Sequence, residues 1–311
     1  MNRNPSTHIG IDVSKARLDV HIPGSPHLRV SNSAKGFGDL FAALAGVADP
    51  HLVCESTAGY QKPLASAALV HGIPVSVIQP VRIRCFAVAA GILAKTDRID
   101  AAVIAAFGAT HQPAAMVAPD PEAVELREML DARRVLVELV TDTNNRLELA
   151  TGFLRDTLRK LLRSTQRLLD RADAAIAAHV AVSPVLAQKA ARMRQLKGVG
   201  PVLAHTLLAY LPELGELPDK TVCSMAGVAP HPKDSGAGSG KRKIRAGRGT
   251  VRKVLYMAAV SAARSNAVLK DFHDRLKKAG KPAKVALTAV MRKMITVLNK
   301  LLANPQFTLA S

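Results

Sequence analysis

The sequence predicts an α/β domain followed by a predominantly helical, strongly basic region, and three observations carry that expectation. Over residues 1–110, short stretches that alternate apolar and polar positions are interleaved with segments of helical character. From Glu122 to Val180 the chain has no proline and repeats leucine at Leu147, Leu154, Leu161 and Leu168, a strict seven-residue interval. Charge is shared unevenly: ten Lys or Arg face seven Asp or Glu over 1–110, thirteen face eleven over 111–195, and twenty face six over 196–311.

The first segment, HIGIDVSKARLDVHI, sets Ile9, Ile11 and Val13 on one face and His8, Gly10 and Asp12 on the other. Aspartate is disfavoured inside strands, so Asp12 is a candidate site residue, with Gly10 on its own face leaving room for something to approach. Leu18, Val20 and Ile22 mark a second strand and Leu28 to Val30 a third, an antiparallel meander. A helix follows over 36–47. The apolar segment HLVCES then ends at Glu55, at a strand's carboxyl end where site residues of open α/β sheets collect. Thr57 to Tyr60 opens another helix, IPVSVIQP is the last strand, and Val81 to Ala90 is helical.

KTDRIDAAVIAAF, Lys95 to Phe107, completes this part with two carboxylates three residues apart, Asp97 and Asp100, on one face at a helix start. Either acid alone reads as a helix cap. The order β-β-β-α-β-α-β-α is that of a ribonuclease-H-like domain, which brings Asp12, Glu55, Asp97 and Asp100 to one sheet edge. Hard oxygen donors of this kind suit Mg²⁺ or Mn²⁺, and a metal pair about 3.5–4 Å apart stabilises the attacking and leaving oxygens of phosphoryl displacement.

Pro113, Pro119 and Pro121 mark a boundary. Beyond it the leucine repeat suits oligomerisation, a spacer between domains, or a helical layer. Its second seam positions, Thr151, Leu158, Thr165 and Ala172, leave one long helix and a hairpin broken near Gly152 both open. LKGVGPVLAHTLLAYL then places Gly198 and Gly200 in a turn before a helix, like a helix-hairpin-helix element that offers backbone N–H groups to phosphate. Between Lys233 and Lys253 stand eight Lys or Arg and one Asp, including Lys241, Arg242, Lys243, Arg245, Arg248, Arg252 and Lys253. A glycine-rich loop with that charge is either solvated or a nucleic-acid contact. It also contains Ser235 and Ser239. Basic helices are expected over 269–278 and 284–302.

Composition narrows the class further. A net charge of +19 and a sequence pI near 10.3 point to a polyanionic partner. Cys54, Cys85 and Cys223 lie far apart, which fits a reducing cytoplasm and argues against a zinc site or disulfide framework. The N-terminus lacks the apolar core of a signal peptide, and no apolar run reaches membrane-spanning length, so no membrane is expected. No Trp and 3% aromatic residues disfavour base-stacking recognition of single strands.

The ordered set GIDVSK, CESTAGY, KTDRIDA, KGVGPVLA, GVAP, DSG, GKRKI and RKVLYMAA resembles the IS110 family of insertion-sequence transposases along nearly the whole chain. The resemblance implies a RuvC-like domain over 1–112, a coiled-coil region over 113–184 and a C-terminal transposase domain over 185–311. It also implies an Asp-Glu-Asp-Asp tetrad at Asp12, Glu55, Asp97 and Asp100 and an essential serine at Ser235. Such bacterial enzymes recombine double-stranded DNA through a phosphoserine intermediate, guided by a structured noncoding RNA. A homo-oligomer, dimer or tetramer, acting on nucleoid DNA in the cytoplasm is expected. A metal-dependent nuclease that uses water would need the tetrad but not Ser235, and a non-enzymatic DNA-binding protein would need neither.

Overall fold

Side-chain alternation along the first strand decides how the N-terminal part is layered. The computed structural model describes residues 6–92, 96–118, 120–231, 234–235, 238–239 and 242–309. The chain divides into two units, Met1–Ala118 and Pro119–Ser311, the second containing both the helices expected at 113–184 and the region from 185 onward.

In the first unit, β1 (Thr7–Val13), β2 (Arg17–His21) and β3 (Leu28–Ser31) are followed by α1 (Ala34–Ala43), β4 (Pro50–Glu55), α2 (Lys62–Val70), β5 (Val75–Ile78), α3 (Pro80–Ala89) and α4 (Asp97–His111). The strands form one mixed sheet in the order β3-β2-β1-β4-β5. β2 runs antiparallel to both β1 and β3, whereas β1, β4 and β5 are parallel. This meander and the helix order agree with the pattern read from the sequence. Thr57 to Tyr60 departs from it, since those residues lie in a turn region and α2 begins only at Lys62, with Pro63 in its first turn.

Ile9, Ile11, Val13, Leu18 and Val20 pack with α1 and α2 residues such as Leu40 and Leu64 in one buried layer. The opposite face receives Val53 and Ile78 beneath Ile83 of α3 and Val103, Ile104 and Phe107 of α4. Two glycines decide how closely α4 sits. A Cβ on Gly10 would lie 2.0 Å from the Ala101 carbonyl oxygen and 2.4 Å from the Ala105 nitrogen, and one on Gly108 would meet Val53 and His8 at 2.8–2.9 Å. At Gly10 helix backbone therefore rests on strand backbone, and at Gly108 it rests on strand side chains, at distances that a Cβ forbids. Cys54 lies in the core, where burial pushes its thiol up to about 12 and leaves it unreactive.

The second unit begins with α5 (Pro121–Leu149) and α6 (Gly152–Val182), followed by α7 (Pro184–Arg194), α8 (Pro201–Tyr210) and α9 (Asp219–Met225). Short strands β6 (Pro230–His231), β7 (Asp234–Ser235), β8 (Gly238–Ser239) and β9 (Lys243–Ile244) precede α10 (Gly249–Ser265), α11 (Ala267–Lys278) and α12 (Ala283–Ala303). The two long helices form an antiparallel hairpin, because Ser183 reaches back to Glu122 and Arg133 bonds Asp173. The break falls at Ala150 and Thr151, and Gly152 opens α6 with a φ of +53°. Of the two arrangements the heptad left open, the hairpin is realised.

The seam within this hairpin does not use the strict leucines. Leu158, Thr165, Leu169, Ile176 and Val180 are buried, whereas Leu154, Leu161 and Leu168 are 57%, 43% and 47% exposed. The core of the second unit is centred on α8, whose residues from Leu203 to Tyr210 are all buried, as expected of a helix apolar on every side. Leu130, Met193, Leu255 and Met294 pack with it. Arg192 closes the chain's far end by donating to the carbonyls of Leu301, Asn304, Pro305 and Phe307. Among the described residues no single helix is long and apolar enough to cross a membrane.

Candidate active site

The parity of β1 puts Asp12 on the face that α4 covers, together with Gly10 and opposite the layer of Ile11 and Val13. In parallel β4, Ile11 pairs with Cys54, so Glu55 stands one position on, beside Asp12 at the carboxyl ends of two neighbouring strands. α4 begins at the same edge. Its cap is Thr96, whose hydroxyl accepts from the Ile99 amide, so neither Asp97 nor Asp100 serves as the cap, and both lie in the first turn. The helix thus delivers two carboxylates at the end of a backbone contact that Gly10 makes possible.

Electrostatics report the same gathering. The Asp12 carboxyl is pushed up from 3.8 to about 6, by burial first and then by repulsion from Asp100, Asp97, Asp19 and Glu55. Asp12 therefore feels the charge of each of the other three expected acids. The donor set is one of hard carboxylate oxygens, the chemistry Mg²⁺ or Mn²⁺ prefers. Among the described residues, however, no three His, Cys, Asp or Glu side chains are drawn closely enough together to hold a metal ion. Asp97 is engaged by a cation of the chain itself: its Oδ2 accepts a hydrogen bond of 2.9 Å from Arg17 Nη2.

Asp19 is the residue that sequence reasoning missed. It pairs directly with Asp12 across β1 and β2 and with Arg29 across β2 and β3, so all three belong to one cross-strand row. Its side chain is 3% exposed, and its Oδ1 accepts from Arg29 Nε at 2.7 Å and lies 2.9 Å from His27 Nε2. Like charges directly opposite in a sheet are unfavourable, and these basic partners offset that repulsion. The signal was the aspartate of RLDVH in a strand of otherwise apolar inward positions, and only the register made it meaningful.

The described residues of the basic loop form two short strand pairs. β6 pairs with β9 and, further out, β7 pairs with β8, with Ser235 opposite Gly238 and Ser239 opposite Asp234 in register. Arg242, Lys243, Arg245 and Lys253 are exposed, while Lys241 lies outside the described residues. Arg248 and Arg252, expected at nucleic acid, have intramolecular partners. Arg248 forms a bidentate pair with Glu213; burial raises that carboxyl, but the bonds from Arg248 outweigh it and hold Glu213 below its usual value. Arg252 donates to the carbonyls of Ala246 and Gly227, and Gly227 and Gly247 cross so closely that a Cβ on Gly247 would lie 2.3 Å from the Gly227 Cα. These residues clamp the base of the paired strands. Gly198, at φ +107°, packs where a Cβ would strike Ala262 at 2.5 Å, and Gly200 is the exposed N-terminal cap of α8.

The raised value of Asp12 carries a sign. The folded protein keeps this proton to higher pH than the unfolded chain, so Asp12 costs no stability below about pH 4 and progressively removes stability as pH rises through about 6. Asp12→Asn in metal-free buffer is expected to stabilise the protein at pH 7.5 by about 1–2 kcal/mol, a value discounted for partial solvent screening. That gain should disappear at pH 4, as read by chemical denaturation at the two pH values.

Comparison with known proteins agrees with this architecture. Residues 9–151, which contain all four acids and Asp19, match a DEDD-type IS110 transposase model, and residues 190–274, which contain Ser235, match the model described as transposase IS116/IS110/IS902 family. Together the matches cover well over half of the chain. The chain is 27% identical over 303 residues to the pilin gene-inverting protein of Moraxella bovis, and equally to that of Moraxella lacunata, with 94% of both chains covered in each case. A DEDD-type domain suggests divalent-metal dependence in general. With an acidic sheet edge in one unit and a basic helical second unit, the chain belongs to the IS110 family of transposases, enzymes of DNA recombination.

Proposed function

We propose that this transposase is a site-specific recombinase that cuts and rejoins double-stranded DNA, with Mg²⁺ or Mn²⁺ at Asp12, Glu55, Asp97 and Asp100 and with Ser235 as nucleophile. The observation that carries the reading is geometric: Asp12 and Glu55 stand side by side at the ends of β1 and β4, and Asp97 and Asp100 lie in the first turn of the helix seated on that face. The sheet's strand order and antiparallel meander also support a ribonuclease-H-like, RuvC-type first unit. Divalent metal, when bound, supplies positive charge to polarise a phosphodiester and to favour an ionised hydroxyl. The carboxylates, all of them part-exposed, would hold that charge in place.

In the serine step, the Ser235 Oγ forms a bond to phosphorus and the bond to one strand oxygen breaks. The serine proton is lost to a base, and the departing strand hydroxyl takes one up. Reversal by another strand end rejoins the DNA without a loss of ester bonds. The DSG motif that carries the family resemblance favours Ser235 over Ser239. The relatives' name speaks of inverting a gene, a reaction that needs cleavage and rejoining at paired sites, and the same reaction class is proposed here. Exposed Arg242, Lys243, Arg245 and Lys253 would meet the phosphates of DNA and of a structured noncoding guide RNA, as the family resemblance implies, in the cytoplasm at the nucleoid.

A second copy of the chain is proposed to pair along Leu154, Leu161 and Leu168, because these seven-spaced leucines stay exposed after the hairpin has formed its own seam. Replacing all three by serine should lower the molecular mass seen in sedimentation from oligomer to single chain, with thermal stability of the chain retained. An unchanged mass removes this face from assembly.

The chemical reading is tested with DNA carrying the element's ends, guide RNA and Mg²⁺. Wild type should give a denaturation-resistant protein–DNA adduct, lost in Ser235→Ala and kept in Ser239→Ala. Alanine at Asp12, Glu55, Asp97 or Asp100 should abolish strand cleavage, by at least about a hundredfold, while nucleic-acid binding persists. Cleavage without an adduct would instead identify a nuclease that uses water.

A further inference from the structure

Two arginines tie a buried acid to an acid of the candidate metal site. Arg29 Nε bonds Asp19 Oδ1 at 2.7 Å and Arg17 Nε lies 3.7 Å from Asp19 Oδ2. Their outer nitrogens converge on a single atom, Asp97 Oδ2, from Arg17 at 2.9 Å and from Arg29 at 3.8 Å. Asp19 is buried and also approached by His27, whereas Asp97 is 46% exposed and lies in the first turn of α4. The inner end of this chain of charges is therefore fixed and the outer end is open to exchange. Arg17 is half exposed, so it can leave Asp97 without opening the core.

We propose that Arg17 is a displaceable counter-cation of the acidic site: it occupies Asp97 until a divalent ion takes that carboxylate, and Asp19, 3.7 Å from its Nε, keeps the guanidinium at the site's rim. This rests on the reading of the four acids as the cation site. Arg17 is a positioning residue in this account. It neutralises Asp97 in the metal-free protein and limits how readily an ion enters. Once displaced, a planar guanidinium at the rim suits a phosphate oxygen of the bound strand. Removing it therefore has opposite consequences for metal and for DNA.

Mn²⁺ binding to the full chain without nucleic acid, followed by the paramagnetic signal of free Mn²⁺, separates the possibilities. Arg17→Met should lower the Mn²⁺ dissociation constant by about five- to tenfold, an effect of the size expected for a lost charge at close range, and Arg17→Lys should stay near wild type. Arg98→Met removes the same charge from an exposed position one residue from Asp97 and should shift binding less than twofold. In strand cleavage at saturating Mn²⁺, Arg17→Met should lose activity although it binds metal more tightly. Equal shifts in Arg17→Met and Arg98→Met, or no shift in either, would overturn the counter-cation role while leaving the metal site standing. Wild-type binding indistinguishable from that of Asp12→Ala would instead overturn the metal-site reading, and the counter-cation role with it.

Discussion

The seat of α4 on β1 is the constraint on which the acidic site depends. Helix and strand meet through backbone, since Gly10 leaves no Cβ between Asp12's strand and the Ala101 and Ala105 turn of the helix. Any larger residue would push the helix outward, and overpacking of this kind costs about 1–3 kcal/mol or more. The more specific loss would be geometric. Asp97 and Asp100 start the helix that Gly10 admits, so lifting the helix would carry two carboxylates away from the strand ends that hold Asp12 and Glu55. Gly108 makes a second close approach near the other end of α4, against the Val53 and His8 side chains, which fixes the helix at two points.

Gathering acids in this way works against stability. Asp12 faces Asp19 in register and feels three further carboxylates, and burial adds to the cost of its charge. Arg17, Arg29 and His27 offset part of it around Asp19. Sites selected for chemistry commonly keep such unfavourable interactions, which substitution can relieve at the expense of activity. Two of the same cations, Arg17 and Arg29, also reach Asp97. Arg17 holds Asp97 in a position that satisfies its charge without an added ion.

Much of this site was legible because its residues break local rules. Asp12 lies within a strand, Glu55 ends an apolar one, and Asp97 and Asp100 exceed the single cap a helix start requires, a task Thr96 performs. Asp19 broke the same rule as Asp12, but its meaning came from the Asp12–Asp19 register, which depends on the length of the intervening turn and not on composition. In the second unit the leucine repeat correctly announced long helices, yet the repeat does not say which partner a face will meet. The hairpin took Leu158, Thr165 and Leu169 for itself and left Leu154, Leu161 and Leu168 outside. The basic run was ambiguous in another way. A guanidinium that meets phosphate and one that bonds its own chain are the same residue type; Arg248 and Arg252 have intramolecular partners in this fold, while Arg242, Lys243 and Arg245 stay exposed.

The central claim is that the edge formed by β1, β4 and the start of α4 is a divalent-cation site. Anomalous diffraction from crystals of the protein grown with Mn²⁺ tests it most directly. The account predicts anomalous density within coordination distance, about 2–2.5 Å, of Asp12 and at least two of Glu55, Asp97 and Asp100, with Arg17 turned away from Asp97. Manganese bound elsewhere with this edge left empty, or Arg17 still paired with Asp97 beside a bound ion, would contradict it.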